Sequence, residues 1–155
     1  MKLFQVLAVT LFLTGMVACQ EKCDKNNKFC FPNAVQTWNG AVEYCTRNGW
    51  MLAVVNSEAK QKKIESLANK LDAVKSGKVE LWIGANDLNK EGHFVWNGNG
   101  KPVAYSKWLP GKPDNKNGKE HCVHLWYEKA KNLNWGWNDV VCSSKRRFVC
   151  ERKKL

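Results

Sequence analysis

Several features that would point to an enzyme or a membrane protein are missing from this chain of 155 residues. Beyond the first nineteen residues there is no apolar run of membrane-spanning length, and there are no internal repeats and no linker. With only three histidines, the chain offers no Ser-His-Asp arrangement. His121 and His124 are three positions apart, which on a strand places them on opposite faces, and no further zinc ligands are suitably spaced. We therefore expect neither an enzyme nor a zinc site at these histidines.

Acidic residues are also scarce, since 14 Asp and Glu face 25 Lys and Arg, for a formal net charge of +11. A surface of this charge attracts anions such as sulfated or uronic glycans, acidic lipids or nucleic acid. Nucleic acid is the poorest of these partners, because the chain has no basic helix and no aromatic-interleaved basic motif. The simplest interpretation is that the charge keeps the protein soluble.

The first residues have the form of a secretory signal peptide, with Lys2 followed by an apolar run that ends in small residues near Ala18. We expect residues 1–19 to be this signal and residues 20–155 to be one secreted, extracellular domain without a membrane span. Cleavage after either Ala18 or Cys19 is open. A retained Cys19 would leave an odd number of cysteines, which permits a disulfide-linked homo- or heterodimer.

The remaining six cysteines predict a disulfide framework, for which the sequence alone permits fifteen pairings. Apolar spacing predicts one helix from Thr37 to about Gly49 and a second from Asn56-Ser57 to Ser76-Gly77. A short apolar strand at 51–55 separates them. After the second helix come short strand patterns at 81–84, 94–96, 122–126 and 147–150, with a long Gly-, Pro- and Asn-rich loop at about 97–119. Two helices followed by short strands predict an α+β fold.

Oxygen-bearing side chains cluster in loop-type sequence near the end of the chain. They are Asp114, Asn115, Glu120, Asn138 and Asp139. Cys122 lies between the residues at 114–120 and those at 138–139, and Cys142 follows the second group. A disulfide between these two cysteines would draw the two groups together. Carboxylates, amides and backbone carbonyls are the ligands that calcium takes, six to eight at a time. The sequence therefore predicts a calcium site here.

Several motifs in a fixed order now resemble the C-type lectin domain, over the chain from about Cys23 to the end. The similarity is strong because the motifs are independent. They are Trp38-Asn39-Gly40-Ala41 with Tyr44-Cys45, Leu81-Trp82-Ile83-Gly84, Gly92-His93-Phe94-Val95-Trp96, Pro113-Asp114-Asn115, Glu120-His121-Cys122, Trp137-Asn138-Asp139 and Phe148-Val149-Cys150-Glu151. A small single domain without an anchor is most similar to the secreted lectins of insects.

The resemblance implies a fold of two helices, small antiparallel sheets and a long calcium- and sugar-binding loop. It also implies three disulfides, which are Cys45 to Cys150, Cys122 to Cys142 and, as in the long form of the domain, Cys23 to Cys30. The first closes a long loop and should contribute about 4 kcal/mol in the chain-entropy model. The implied core comprises Trp82, Ile83, Phe94, Trp96, Val123, Leu125 and Phe148.

Carried over to this chain, the family's principal calcium site comprises the position of Lys112 followed by Asp114, Glu120, Asn138 and Asp139. The peptide before Pro113 is expected to be cis. In the family, two neighbouring sugar hydroxyls complete the calcium shell and bond to the same side chains, so that Lys112, Asp114, Glu120 and Asn138 would also bind sugar. The Pro113-Asp114 pair resembles the galactose-type motif. Lys112 departs from it, because an ammonium has no lone pair with which to ligate calcium.

An auxiliary calcium site has partial counterparts in Asp87, Glu91, Asn115 and Glu120, with Glu120 shared between the two sites. Turn carboxylates without a metal are the competing interpretation of Asp87 and Glu91. Of the tryptophans, Trp135 is the predicted stacking platform for a galactose face, and Trp137 is predicted to be buried. Trp108 and Trp126 are predicted to be core.

The resulting prediction is a calcium-dependent carbohydrate-binding protein that favours galactose-type glycans, with a role in recognising microbial or cell-surface glycans in innate immunity. Two alternatives remain. Lysines at 107, 112, 116 and 119 would allow a calcium-weakened domain to bind acidic glycans directly. A domain of this kind without sugar binding would instead serve a protein partner.

Overall fold

The computed structural model describes residues 22–24, 26 and 28–153. Two helices, α1 (Trp38–Arg47) and α2 (Glu58–Ala68), pack with two sheets, which confirms the α+β prediction. The strands are β1 (Lys22–Cys23), β2 (Phe29–Phe31), β3 (Trp50–Leu52), β4 (Lys78–Asn86), β5 (Val95–Trp96), β6 (Cys122–Glu128), β7 (Leu133–Val140), β8 (Arg147–Phe148) and β9 (Cys150–Arg152). One sheet has the order β1-β2-β9-β3, and the other has the order β5-β4-β6-β7 with β8 parallel to β4.

Both helices begin where the sequence predicts. The side chain of Thr37 caps α1 by accepting the N–H of Gly40 at 3.1 Å, and Ser57 caps α2 by accepting the N–H of Lys60 at 3.3 Å. Gly49, with φ of 76°, follows the end of α1 in the left-handed region that glycine enters without strain. These local signals therefore set the start of each helix.

The end of α2 differs from the prediction. The helix stops at Ala68 rather than at Ser76-Gly77, because Leu71 adopts an extended backbone (φ −73°, ψ 138°) and turns its side chain into the core. A short 3-10 turn, Asp72–Ser76, follows. The buried face of α2 also includes Gln61, which is fully buried and polar. Apolar spacing cannot find such a residue, since it treats glutamine as surface.

The strand β7 is the largest element that the sequence analysis missed. It pairs along β6 with the register Val123↔Asp139, His124↔Asn138 and Leu125↔Trp137. Asn138 and Asp139 therefore lie on a strand at the edge of the sheet and not in a loop, which corrects the prediction. Gly136 and the surrounding asparagines concealed the strand pattern, because these residues are depleted in strands.

The core contains the residues that the resemblance implied. Trp82, Ile83, Trp96, Val123, Leu125 and Phe148 are buried, and Phe94 packs against them while partly exposed. Trp137 is buried as predicted, and Trp108 packs on it with ring centroids 5.6 Å apart. Trp126 is only half-buried and lies under the ammonium of Lys131 at 4.8 Å, so its assignment to the core is wrong.

The three implied disulfides are all present, joining Cys23 to Cys30, Cys45 to Cys150 and Cys122 to Cys142. The second links α1 to β9, and the third links the start of β6 to the segment after β7. Within residues 22–153, no described helix is long and apolar enough to cross a membrane. The predicted signal peptide and Cys19 lie outside the described residues.

Candidate calcium and carbohydrate site

The long loop between β5 and β6 lies against β7, which brings its polar residues to the end of that strand. The N–H of Leu109 donates to the carbonyl of Trp137 at 2.9 Å, and the N–H of Trp137 donates to the carbonyl of Lys107 at 2.7 Å. The peptide between Lys112 and Pro113 is cis, as expected. The backbone of the loop is therefore held to the strand that carries Asn138 and Asp139.

Three carboxylates converge at this place. Asp114, Glu120 and Asp139 each offer an oxygen, and these oxygens all lie within 4.8 Å of one another. Asp139 is fully buried, and its two oxygens accept the N–H of Asp114 at 3.1 Å, while one of them also accepts the N–H of Asn115 at 2.7 Å. Asp114 and Glu120 face solvent to a greater degree. The arrangement is a half-buried acidic cluster on a fixed backbone.

The cluster has an excess of negative charge. Burial raises the pKa of Glu120, and the nearby charges of Asp139 and Asp114 raise it further, against a backbone hydrogen bond from Lys116 that lowers it. Like charges that meet in a poorly solvated place disfavour each other's ionised form. A bound cation would remove this repulsion, and hard divalent ions prefer oxygen ligands of this type.

Asn138 supplies an independent indication that a cation fits. Its side chain is 7% exposed, and its Nδ2 lies 3.1 Å from Nε2 of the buried His124. Burial holds the pKa of His124 well below its ordinary value, so the neutral imidazole accepts this hydrogen bond. The remaining amide oxygen, Oδ1, is buried and has no hydrogen-bond partner. Buried oxygens are almost always paired, so the unpaired Oδ1 of Asn138, the residue next to Asp139, is available as a ligand.

His124 is a buried neighbour of Asn138 that the sequence analysis missed. It pairs directly across from Asn138 in the β6–β7 ladder, and its Nε2 lies 3.1 Å from the amide Nδ2. One amide hydrogen of Asn138 faces His124, whereas Oδ1 has no hydrogen-bond partner and is the atom that could ligate a metal. Recognising β7 as the partner of β6 would have revealed this pair.

Lys112 acts as a built-in counterion for the cluster. Its Nζ lies 2.8 Å from Oδ1 of Asp114, and the two side chains are 22% and 39% exposed. The hydrogen bond from this ammonium lowers the pKa of Asp114. Lys112 therefore competes with a divalent ion for Asp114 and cannot serve as a ligand itself.

The position of Trp135 contradicts its predicted role as a sugar-stacking platform. The side chain is fully buried, stacks on Tyr127 with centroids 5.3 Å apart, and donates from Nε1 to Oδ1 of Asn69 at 2.8 Å. Two-residue periodicity from the buried Trp137 would have indicated the same face. Trp135 supports the fold under the site and is not available to a ligand.

The auxiliary calcium set is rearranged. Asp87 and Glu91 have their ligand atoms within 4.8 Å of His121, a residue that the sequence analysis set aside as a ligand. Glu120 belongs instead to the cluster with Asp114 and Asp139. Asn115 is also occupied, because its Oδ1 accepts the N–H of Glu120 at 3.0 Å. The expected sharing of Glu120 between two calcium sites is therefore not the arrangement seen here.

The four loop lysines do not form one free basic patch. Lys107 is paired with Glu65 at 2.8 Å and Lys112 with Asp114 at 2.8 Å, whereas Lys116 and Lys119 are exposed. Two of these four lysines are thus neutralised within the protein.

Known proteins share both the sequence and the fold. The family model of the Lectin C-type domain matches residues 34–152. Salivary C-type lectin 2 of Aedes albopictus is 75% identical over 148 residues, which cover 96% of this chain and 98% of that protein. C-type lectin 16 of Aedes aegypti is 60% identical over 147 residues, which cover 95% of this chain and 96% of that protein.

Among solved structures, the carbohydrate-recognition domain of the mouse scavenger receptor C-type lectin superposes with a TM-score of 0.65 at 27% identity. The superposition covers 83% of this chain and 92% of that one. The chain therefore belongs to the C-type lectin family, whose domains bind carbohydrates and are not enzymes.

Proposed function

We propose that this chain is a secreted, calcium-dependent carbohydrate-binding protein that favours galactose-type glycans. The observation that carries the proposal is the convergence of Asp114, Glu120 and Asp139, whose carboxylate oxygens lie within 4.8 Å of one another, and the buried, unpaired Oδ1 of Asn138 is available as a further ligand. These four side chains would hold the calcium ion. When bound, the ion would supply open coordination positions for two neighbouring sugar hydroxyls.

The residues around the ion would orient the sugar. Asp114 and Glu120 are the ligands with solvent access, and charged acceptors form stronger hydrogen bonds to hydroxyls than neutral groups do. Asp139, which is buried and held by two backbone N–H groups, would keep the metal in place. The preference for galactose rests on the Pro113-Asp114 pair, which resembles the galactose-type motif.

The biological proposal is recognition of microbial or cell-surface glycans in innate immunity, outside the cell. Export is supported by the signal-like residues 1–19 and by relatives that are named salivary lectins. We also propose that residues 20–155 are the mature domain, and that a retained Cys19 would link it to a second lectin chain.

The test is a calcium titration by calorimetry on the oxidised mature protein, repeated with galactose and with mannose. We expect a heat of calcium binding that galactose enlarges more than mannose does. Glu120→Gln should weaken calcium binding by at least tenfold, since it removes one of three carboxylates while keeping the side-chain shape. Glu128→Gln, a carboxylate at the far end of β6, is the matched control and should leave the heat unchanged.

Asp139→Ala should abolish the heat as well, although this buried residue accepts backbone hydrogen bonds and its loss also threatens the fold. Circular dichroism on each variant separates the two effects. No calcium heat in the folded wild-type protein would refute the proposal. Salt-sensitive binding to a sulfated polymer without calcium would then favour the acidic-glycan alternative, and capture of neither ligand would favour a protein partner.

A further inference from the structure

A second group of ligand-type side chains lies outside the proposed calcium site. Asp87 follows β4, Glu91 lies in the turn before β5, and His121 directly precedes β6. Nδ1 of His121 is 3.1 Å from Oδ1 of Asp87 and 3.4 Å from Oε2 of Glu91. One imidazole nitrogen thus faces two carboxylates at once, from three separate places in the sequence.

The backbone holds this group in position. The N–H of Asp87 donates to the carbonyl of His121 at 3.1 Å, which fixes the two residues relative to each other. The second carboxylate oxygen of Asp87 accepts the N–H of Gly92 at 2.8 Å. Asp87 is 2% exposed, so its carboxylate has little freedom. Such support of ligands by further hydrogen bonds is a regular feature of protein metal sites.

We propose that Asp87, Glu91 and His121 form a binding site for a transition metal of the zinc type, separate from the calcium cluster. Ligand atoms bound at about 2.0–2.1 Å in a tetrahedral shell lie about 3.3 Å from one another. The separations of 3.1 and 3.4 Å in the structure already have this size. The side chains of Glu91 and His121 are 56% and 30% exposed, which leaves an entry path and room for a water as fourth ligand.

The imidazole decides the class of metal. Calcium and magnesium take oxygen ligands, whereas imidazole nitrogen suits zinc, copper, nickel and iron. A set of one histidine and two carboxylates therefore favours a transition metal over calcium. The neighbouring cluster of Asp114, Glu120 and Asp139 contains oxygen ligands only, so the two sites should take different ions.

The experiment uses the oxidised, tag-free mature protein, freed of metal with a chelator and titrated with Zn²⁺ by calorimetry in the presence of saturating Ca²⁺. Co²⁺ serves as a spectroscopic probe, since an imidazole–carboxylate site gives it a visible absorption band. We expect one Zn²⁺ per chain, a rise of the melting temperature with Zn²⁺, and a Co²⁺ band that Zn²⁺ removes and Ca²⁺ does not.

His121→Asn should weaken Zn²⁺ binding by at least 10- to 100-fold and remove the Co²⁺ band, while calcium binding at the other cluster stays intact. His93→Asn is the matched control, because His93 is an exposed histidine in the adjacent turn and should leave Zn²⁺ binding unchanged. Equal losses in both variants, displacement of Co²⁺ by Ca²⁺, or no Zn²⁺ heat in the wild-type protein would each overturn the inference. Because calcium binding is measured on the same samples, failure of this site is distinguishable from failure of the proposed lectin site.

Discussion

Replacing Lys112 is the sharpest test of how the calcium site works, because this residue opposes the metal in two ways. Its ammonium holds Asp114 at 2.8 Å, and this partly exposed ion pair must break before Asp114 can ligate calcium. A pair exposed to this degree is weak, so the cost of breaking it is the smaller of the two effects. The same ammonium repels a divalent ion by about 2 kcal/mol at a separation of about 4 Å, even with the dielectric constant of water.

The repulsion alone, about 2 kcal/mol, corresponds to about 30-fold in the dissociation constant for calcium. Lys112→Met removes the charge without adding a ligand and should show this gain. Lys112→Gln removes the charge and adds an amide oxygen, so it should bind calcium more tightly still and strengthen galactose binding with it.

The assay is calcium calorimetry on both variants at fixed ionic strength. Lys119→Gln is the control, because it makes the same change of charge on an exposed lysine of the same loop and should alter the affinity little. Unaltered calcium affinity in Lys112→Met would refute the competition by charge. A gain in Lys112→Met with no further gain in Lys112→Gln would refute the idea that position 112 is a ligand position.

Three further predictions concern the support of the site. Trp135→Ala should lower the free energy of unfolding in urea by about 3–5 kcal/mol. Trp135→Phe should keep calcium and galactose binding. Loss of sugar binding in folded Trp135→Phe would instead support a role for Trp135 in stacking against the sugar. Gln61→Leu leaves two buried groups without a hydrogen-bond partner, the indole N–H of Trp137 and the carbonyl of Trp135. Each should lower the free energy of unfolding by about 1–3 kcal/mol, and an unchanged free energy of unfolding in urea would contradict this. The pKa of His124 is depressed in the fold, so its contribution to stability is complete above its unfolded pKa of about 6.5. This contribution is lost as the pH falls toward the folded pKa, by up to about 1.4 kcal/mol per pH unit. His124→Gln should flatten this dependence of stability on pH in thermal melts, and an unchanged slope would contradict the prediction.

The sequence predicted those parts of the fold whose signals are local. The caps at Thr37 and Ser57 define helix starts, because a side-chain oxygen there satisfies an N–H that the helix leaves free. The end of α2 depends on Leu71 turning into the core, and this is a tertiary preference that no local pattern encodes. The order of motifs was sufficient for the family and for the disulfides, since both follow from the resemblance.

The candidate site was predictable as a set of residue types but not as an arrangement. The expected disulfide and the resemblance placed Asp114, Glu120 and Asp139 together, as the structure does. Missing β7 hid the pair of His124 and Asn138, because cross-strand neighbours can be read only when both strands are known. The burial of Trp135 was hidden for the same reason.

Glu120 and His121 are adjacent in the sequence but belong to different clusters of ligand-type side chains. This explains why the expected auxiliary calcium site is not formed as predicted. These neighbours immediately precede β6, where successive side chains point to opposite sides of an extended backbone. Glu120 therefore joins the carboxylates of the loop, while His121 joins Asp87 beyond the end of β4. Adjacent residues thus belong to different clusters, one with oxygen ligands only and one that contains the imidazole of His121. Because calcium and zinc prefer different ligand atoms, this single alternation would let the chain select a different ion on each side.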